Sequence, residues 1–154
     1  MMEVTGVFFE WGNAPLSWLI RLASGGPNHV GTILDDGLTI EATPSRGVHR
    51  REPPKGALVV DMTQRSQEYR RAIWAACLGA HLRAKAPYDY AAVIWVTLTL
   101  LFPWLKKRRT VLGRNNAYYC AECVNSCLHI VRLPPEATTP RDIARALGVT
   151  RGAW

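Results

Sequence analysis

The sequence lacks an uninterrupted apolar run of the roughly 20 residues that a bilayer-spanning helix needs. Its most apolar segment, residues 89–105, is shorter and is interrupted by Pro103. We therefore predict a buried helix over this segment. The open alternative is a helix that contacts a partner or a membrane surface through residues 91–109, because the cationic sequence KKRR follows at once.

A signal peptide is also not predicted, because MMEVTGVFFEWG contains no basic segment followed by a long apolar run and a small-residue cleavage site. Cysteine is scarce, and three of the four cysteines, Cys120, Cys123 and Cys127, fall on one predicted helix. Neighbours on one helix rarely form a structural disulfide framework. We therefore expect reduced thiols and a cytoplasmic location.

The cysteines lack the companions that a zinc site needs, since there is no second C-x-x-C and no histidine pair. We predict neither a metal nor a cofactor. The alternative that stays open is a redox pair of Cys120 and Cys123, or a metal half-site completed by Cys127 or His129.

Acidic residues are the minority, with 12 Asp and Glu against 19 Lys and Arg, for a net charge of +7. Much of the positive charge lies in Arg46, Arg50, Arg51, Lys106, Lys107, Arg108, Arg109 and Arg114. It favours anionic partners such as lipid headgroups, nucleic acid or bacterial envelope polymers, although a basic surface also serves simple solubility. Because no recognition-helix pattern or aromatic-interleaved basic motif accompanies the charge, no specific nucleic-acid partner is predicted.

A chain of 154 residues, 48% hydrophobic and 20% charged, predicts a single globular domain over residues 1–154. Short apolar or alternating runs predict strands at residues 7–11, 29–34, 38–42 and 57–62. Helical spacing predicts further helices at residues 16–24, 64–86, 120–131 and 141–148, the last with Thr139 as N-cap and Gly148 as its stop. The order of these elements predicts an α+β fold, with a small antiparallel sheet packed against helices.

The strands at 29–34 and 38–42 form a predicted hairpin. A three-residue loop of Asp35, Asp36 and Gly37, with Gly37 in the left-handed conformation, pairs residue 34 with 38 and residue 31 with 41. In that register His29 and Glu41 are diagonal neighbours on one face, close enough for the carboxylate to orient the imidazole.

A histidine held by a carboxylate suggests a nucleophile nearby, and Cys120 is the best candidate. It lies where a helix is predicted to begin, and the unpaired amides there favour a thiolate. In the proposed mechanism Cys120 attacks a carbonyl, His29 relays the proton, Glu41 holds the imidazole and the Cys120 amide contributes to an oxyanion hole. Each residue alone has a plainer explanation: a surface histidine, or a cysteine that fills the core.

The motifs GGPNHVGTIL, IEA, APYDY and YYCAECV, in this order, resemble the circularly permuted branch of the NlpC-type papain-like superfamily, the YiiX-like group. Its usual motifs are S-H-V-G-I, E-A, Y-D and Y-C-S-E-L-V. The resemblance covers roughly residues 4–131. It implies a permuted papain-like fold with Cys120 as nucleophile, His29 as base and Glu41 as orienting residue.

The same resemblance assigns four residues to the surroundings of the site: Tyr88 and Asp89 match the Y-D motif, Tyr119 precedes the nucleophile, and Asn28 replaces the usual serine before the histidine. Ala121 and Cys123 also depart from the cysteine motif. None of these departures removes a catalytic group, so they bear on substrate preference.

The resemblance implies a thiol hydrolase that cleaves amide bonds, above all in peptidoglycan stem peptides. With no signal peptide predicted, such an enzyme reaches its substrate from a phage particle or tail, by cell lysis, or by another export route. The first route makes phage structural proteins candidate partners and the virion an alternative location. Two other functions stay open. One is a lipid-acting thiol acyltransferase or esterase, as in the lecithin retinol acyltransferase-like proteins; the other is a degenerate structural or binding protein of the same fold.

Overall fold

The computed structural model describes residues 2–12, 15–74, 78–107, 117–132 and 138–150. Within these residues five strands form one sheet: β1 (Val4–Glu10), β2 (His29–Leu34), β3 (Thr39–Thr43), β4 (Gly47–Arg51) and β5 (Leu58–Asp61). Their order across the sheet is β4-β3-β2-β1-β5, and every neighbouring pair is antiparallel. The predicted α+β class with a small antiparallel sheet is confirmed.

Six α-helices accompany the sheet within the described residues: α1 (Pro15–Ser24), α2 (Gln67–Ile73), α3 (Gly79–Arg83), α4 (Tyr90–Leu101), α5 (Cys120–Leu128) and α6 (Pro140–Ala146). The helix predicted over 64–86 is seen as α2 and α3, and residues 75–77 between them lie outside the described part. The segment predicted as one helix over 89–105 ends as α4 at Leu101, because Pro103 cannot continue it, and a 3-10 turn follows at Pro103–Lys107.

The hairpin prediction is confirmed in its register. Thr32 pairs with Ile40 and Ile33 pairs with Thr39, which is the pairing that the three-residue loop requires. Gly37 has a φ of 81°, in the left-handed region that favours glycine. The predicted ends of α6 are also confirmed: the Thr139 hydroxyl accepts from the Asp142 amide, and Gly148 follows the helix with a φ of 80°.

One face of the sheet carries the main hydrophobic core. Val30 and Leu34 of β2 and Ile40 and Ala42 of β3 are buried there, and α5 packs against these two strands. This packing places the first turn of α5 beside the beginning of β2. The residues that begin those two elements are Cys120 and His29.

The opposite face of the sheet holds a close aromatic contact beneath the histidine. Gly31 of β2 lies opposite Phe8 of β1, and a Cβ on Gly31 would come within 2.5 Å of the Phe8 ring. The Phe8 ring lies 5.9 Å from the His29 ring, centroid to centroid. Glycine is therefore needed at residue 31 to let this ring support the imidazole.

Helix α4 is buried on one side only. Ala92, Val93, Val96 and Thr99 are buried, as the prediction of a buried helix requires, whereas Tyr90, Ile94 and Leu101 on the other face are exposed. Among the helices of the described residues, none combines the length and the apolar character needed to cross a membrane.

Candidate active site

A row of polar side chains runs across four strands on the sheet face opposite the main core. Glu10 of β1 pairs with His29 of β2, and Glu41 of β3 pairs with His49 of β4. Because side chains alternate between faces along each strand, Arg51 of β4 lies on this same face. The row brings together residues far apart in sequence, and only His29 and Glu41 of these were predicted as site residues.

Glu41 lies at the centre of the row with its side chain fully buried. Its Oε2 lies 2.5 Å from His29 Nε2 and accepts a hydrogen bond from Arg51 Nη2 at 3.1 Å, while its Oε1 lies 3.5 Å from His49 Nε2. Burial alone would raise the pKa of this carboxyl, but the bonds to His29 and Arg51 hold it below its ordinary value. The buried carboxylate therefore stays ionised and orients the imidazole.

Arg51 links Glu41 to a second carboxylate. Its Nη2 also donates to Glu10 Oε2 at 3.1 Å, so one guanidinium spans β1 and β3. A planar guanidinium with fixed donors restricts where the two carboxylates lie. Arg51 is thus a candidate positioning residue that the sequence analysis missed, since it was counted there only as part of the basic surface.

His29 interacts with both Glu41 and Cys120. Its Nε2 lies 2.5 Å from Glu41 Oε2, and the Cys120 side chain is the other group that acts on the imidazole. Burial alone would lower the pKa of His29, but the hydrogen bonds and charges of Cys120 and Glu41 raise it to about 10. The imidazole is therefore held as an imidazolium beside the thiol at neutral pH.

Cys120 is the first residue of α5, as the sequence predicted. The amides of this first turn have no acceptors within the helix and, with the helix dipole, favour negative charge. Cys120 Sγ lies 4.0 Å from the main-chain oxygen of Asn28, and the residue is 2% exposed. The structure therefore brings Cys120, His29 and Glu41 into one chain of contacts.

The side chain of Asn28 holds the main chain of Gly12. Its Oδ1 accepts from the Gly12 amide at 2.7 Å and its Nδ2 donates to the Gly12 carbonyl at 2.9 Å. Asn28 is buried, so this pair of bonds fixes the chain just before His29. Asn28 therefore contributes to the site by holding its own main-chain oxygen near Cys120 Sγ.

Tyr119 and Asp89 also make bonds that build the fold around the site. The Tyr119 hydroxyl donates to the Thr138 carbonyl at 2.5 Å, and Glu122 of the first turn of α5 accepts from the Tyr119 amide at 3.4 Å. Asp89 caps α4 by accepting from the Ala92 amide at 2.9 Å.

Tyr88 also interacts with Cys120. Its pKa is raised by burial first and then by electrostatic interaction with Cys120, and the centroids of the Tyr88 and Tyr90 rings lie 5.2 Å apart. Tyr88 and Tyr90 belong to a cavity of about 330 Å³ whose remaining lining is Asp89, Ala91 and Ile94.

A second cavity, of about 370 Å³, opens over the polar row. His29 and Glu41 line it, together with His49, Arg51 and the exposed Arg46. Besides His29, three of these five residues are arginine or histidine: Arg46, His49 and Arg51. Glu10 lines the cavity as well, and Arg51 is bound to both Glu10 and Glu41, so exposed Arg46 is the lining residue best placed to meet a negatively charged group of a ligand.

The other cysteines differ from Cys120 in their surroundings. Cys123 is a free, buried cysteine, and burial followed by the charge of Cys120 raises its pKa to about 12. A thiol with so high a pKa is a poor partner for redox exchange at neutral pH. Cys127 is disulfide-bonded, so the expectation of reduced thiols is wrong for this residue.

Among the described residues, no group of three or more His, Cys, Asp and Glu side chains is arranged to hold a metal ion.

The local pattern of residues 47–51, GVHRR, explains why the sequence analysis missed β4 and its two site residues, His49 and Arg51. Three of its five side chains are charged or polar, so it reads as part of a basic surface, and its one buried large apolar side chain is Val48.

The chain was also compared with known proteins. No family model matches it, and no curated protein matches it significantly.

Proposed function

We propose that this protein is a thiol hydrolase in which Cys120 is the nucleophile, His29 the acid and base, and Glu41 the orienting residue. The observation that carries the proposal is the chain of contacts from buried Glu41 through His29 to a cysteine at a helix N-terminus. A raised imidazole pKa beside that cysteine supports a thiolate–imidazolium pair, the reactive form of a thiol hydrolase.

In the proposed reaction the Cys120 thiolate attacks the carbonyl carbon of an amide, and the developing oxyanion faces the amides of the first turn of α5. His29 then donates its proton to the leaving nitrogen as the C–N bond breaks, which leaves a thioester on Cys120. Water attacks the thioester while His29 takes up one of its protons. Expulsion of the thiolate restores the ion pair and releases a carboxylic acid.

The positions of these groups in the chain support a circularly permuted NlpC-type papain-like enzyme, because the histidine and the carboxylate precede the nucleophile. We infer an amide bond in a peptidoglycan stem peptide as the substrate, and a phage particle or tail as the setting. The cavity beside His29 supports an acidic peptide of this kind, because exposed Arg46 lines it. A carboxylate of the peptide would lie against this guanidinium group.

A lipid-acting acyltransferase or esterase is the second candidate. The observation in its favour is the 330 Å³ cavity near Tyr88, whose other lining residues include Tyr90, Ala91 and Ile94. Such a lining would accept an acyl chain. The thiol chemistry is the same in both candidates, and the bond that is cleaved differs.

The first test measures the alkylation of each cysteine by iodoacetamide, using mass spectrometry from about pH 5 to 9. Wild type and the His29→Ala variant are compared, with His129→Ala as a matched histidine control outside the site. We expect Cys120 to react fast near pH 6 in wild type and in the control. We expect His29→Ala to slow it to the rate of an ordinary thiol.

Hydrolysis of synthetic stem peptides and of short-chain lipid esters then separates the two candidate substrates. Cys120→Ser must abolish either activity. If Cys120 reacts like an ordinary thiol in wild type, or if Cys123 reacts equally fast, the hydrolase proposal is wrong and a structural or binding function takes its place.

A further inference from the structure

An apolar surface lies on the outer side of α4 and on the 3-10 turn that follows it. Four large apolar side chains are exposed there, and two of them, Leu101 at 62% and Trp104 at 63%, are among the most exposed large apolar side chains of the described residues. The other two are Ile94 and Phe102. We refer to Ile94, Leu101, Phe102 and Trp104 together as the α4 surface.

The α4 surface departs from the usual pattern of a surface helix. Tyr90, Ile94 and Leu101 recur at spacings of four and seven residues, so they share one side of α4, and that side is exposed. An outward side of a helix is ordinarily polar or charged. All twelve residues of α4, YAAVIWVTLTLL, are uncharged. A contiguous exposed apolar surface of this kind marks a site of interaction.

Helix α1 packs against α4 and presents two more exposed apolar side chains. Trp18 and Leu22 are one helical turn apart, and exposed Arg21 lies next to Leu22 in the sequence. The three side chains line a shared cavity of about 600 Å³. Helix α1 therefore adds two exposed apolar side chains and one cation beside α4.

The charge of the chain indicates what covers the α4 surface. The sequence after Trp104 and Leu105 is Lys106, Lys107, Arg108 and Arg109, within a chain of net charge +7. A second copy of the chain would bring the same positive charge to the contact and be repelled. An anionic lipid surface supplies apolar and negatively charged groups together, each cation near it contributing about 1 kcal/mol.

We propose that the α4 surface docks this protein onto an anionic membrane surface. Helix α4 has 12 residues and is about 18 Å long, well short of the roughly 30 Å of a hydrocarbon core. It therefore lies in the plane of the interface, with Ile94 and Leu101 among the acyl chains. Trp104 and Phe102 lie at headgroup depth, where aromatic rings are favoured.

Co-sedimentation with vesicles tests the docking. Wild-type protein is mixed with vesicles of phosphatidylcholine and phosphatidylglycerol, and separately with phosphatidylcholine alone. The double variant Leu101→Ser/Trp104→Ser removes two apolar anchors, and Val59→Ser removes an apolar side chain that is 52% exposed on β5. We expect the double variant to bind anionic vesicles about ten- to hundredfold more weakly, and Val59→Ser to bind like wild type.

Several results would overturn the docking proposal. One is a wild-type protein that stays in the supernatant with anionic vesicles at low salt. Another is an equal loss of binding in Val59→Ser. A third is a dimer, seen by light scattering, that the double variant abolishes while vesicle binding is absent. Since the readout needs no thiol chemistry, Cys120→Ser should bind as wild type does, and failure of the hydrolase proposal would leave this result unchanged.

Discussion

Replacement of Glu41 by glutamine tests whether the buried carboxylate sets the protonation state of His29. The substitution keeps the shape of the side chain and removes its charge, while Arg51 remains as an adjacent cation. The imidazolium then loses one of its two attractive partners and keeps the other, Cys120, with the guanidinium still nearby. A carboxylate in direct contact raises a histidine pKa by about 1 to 3 units, each unit worth about 1.4 kcal/mol.

The pKa of His29 is raised to about 10 in the folded protein. We therefore expect the pKa of His29 to fall to between about 7 and 9 in Glu41→Gln. Nuclear magnetic resonance of the imidazole carbons, followed from about pH 5 to 11, measures this directly. The matched control is Glu10→Gln, which removes the other carboxylate bound to Arg51 and leaves Glu41 in place. We expect the pKa of His29 to change much less in Glu10→Gln than in Glu41→Gln.

Two results would refute this reasoning. If His29 of the wild-type protein titrates near its ordinary value of 6.5, the contacts with Cys120 and Glu41 do not stabilise the imidazolium. If Glu41→Gln titrates like wild type, the carboxylate orients the ring without supplying charge. The second outcome would assign the raised pKa to the thiolate of Cys120 alone.

Three further substitutions and titrations follow from the structure. Gly31→Ala places a Cβ against the Phe8 ring, so we expect a loss of about 1 to 3 kcal/mol in the free energy of unfolding, measured with urea, and slower thiol alkylation. The pKa of His29 is raised from 6.5 to about 10 on folding, so its contribution to stability is complete below pH 6.5. That contribution is lost as the pH rises through about 10, and the stability difference between wild type and His29→Ala should shrink over this range. Cys123→Ser should leave the alkylation rate of Cys120 unchanged below pH 9, and a large decrease would instead indicate that the two thiols act together.

The local pattern of the sequence predicts several elements correctly because short-range chemistry determines them. The loop Asp35-Asp36-Gly37 sets the register of β2 and β3, since glycine alone adopts the left-handed conformation there without strain. That register in turn makes His29 and Glu41 diagonal neighbours. The helix beginning at Cys120 was likewise predicted from its sequence neighbours, and so was the cap at Thr139.

The strand β4 could not be predicted in this way, because its side chains GVHRR carry no alternating apolar pattern. Its place in the sheet depends on pairing with β3 along five residues, a tertiary contact. The arrival of His49 and Arg51 beside Glu41 is therefore invisible in the local sequence. Asn28 gives a similar case, since only the fold brings Gly12 within reach of its amide.

The sequence by itself thus determined the hairpin that holds His29 beside Glu41 and the helix start that holds Cys120, because turn chemistry and helix capping act over a few residues. Only the tertiary structure decided that the two would meet, since this depends on α5 packing across β2 and β3. It also decided which side of α4 is exposed. A helix that is apolar all round gives no local signal of which side faces the core, and that choice belongs to the packing of its neighbours.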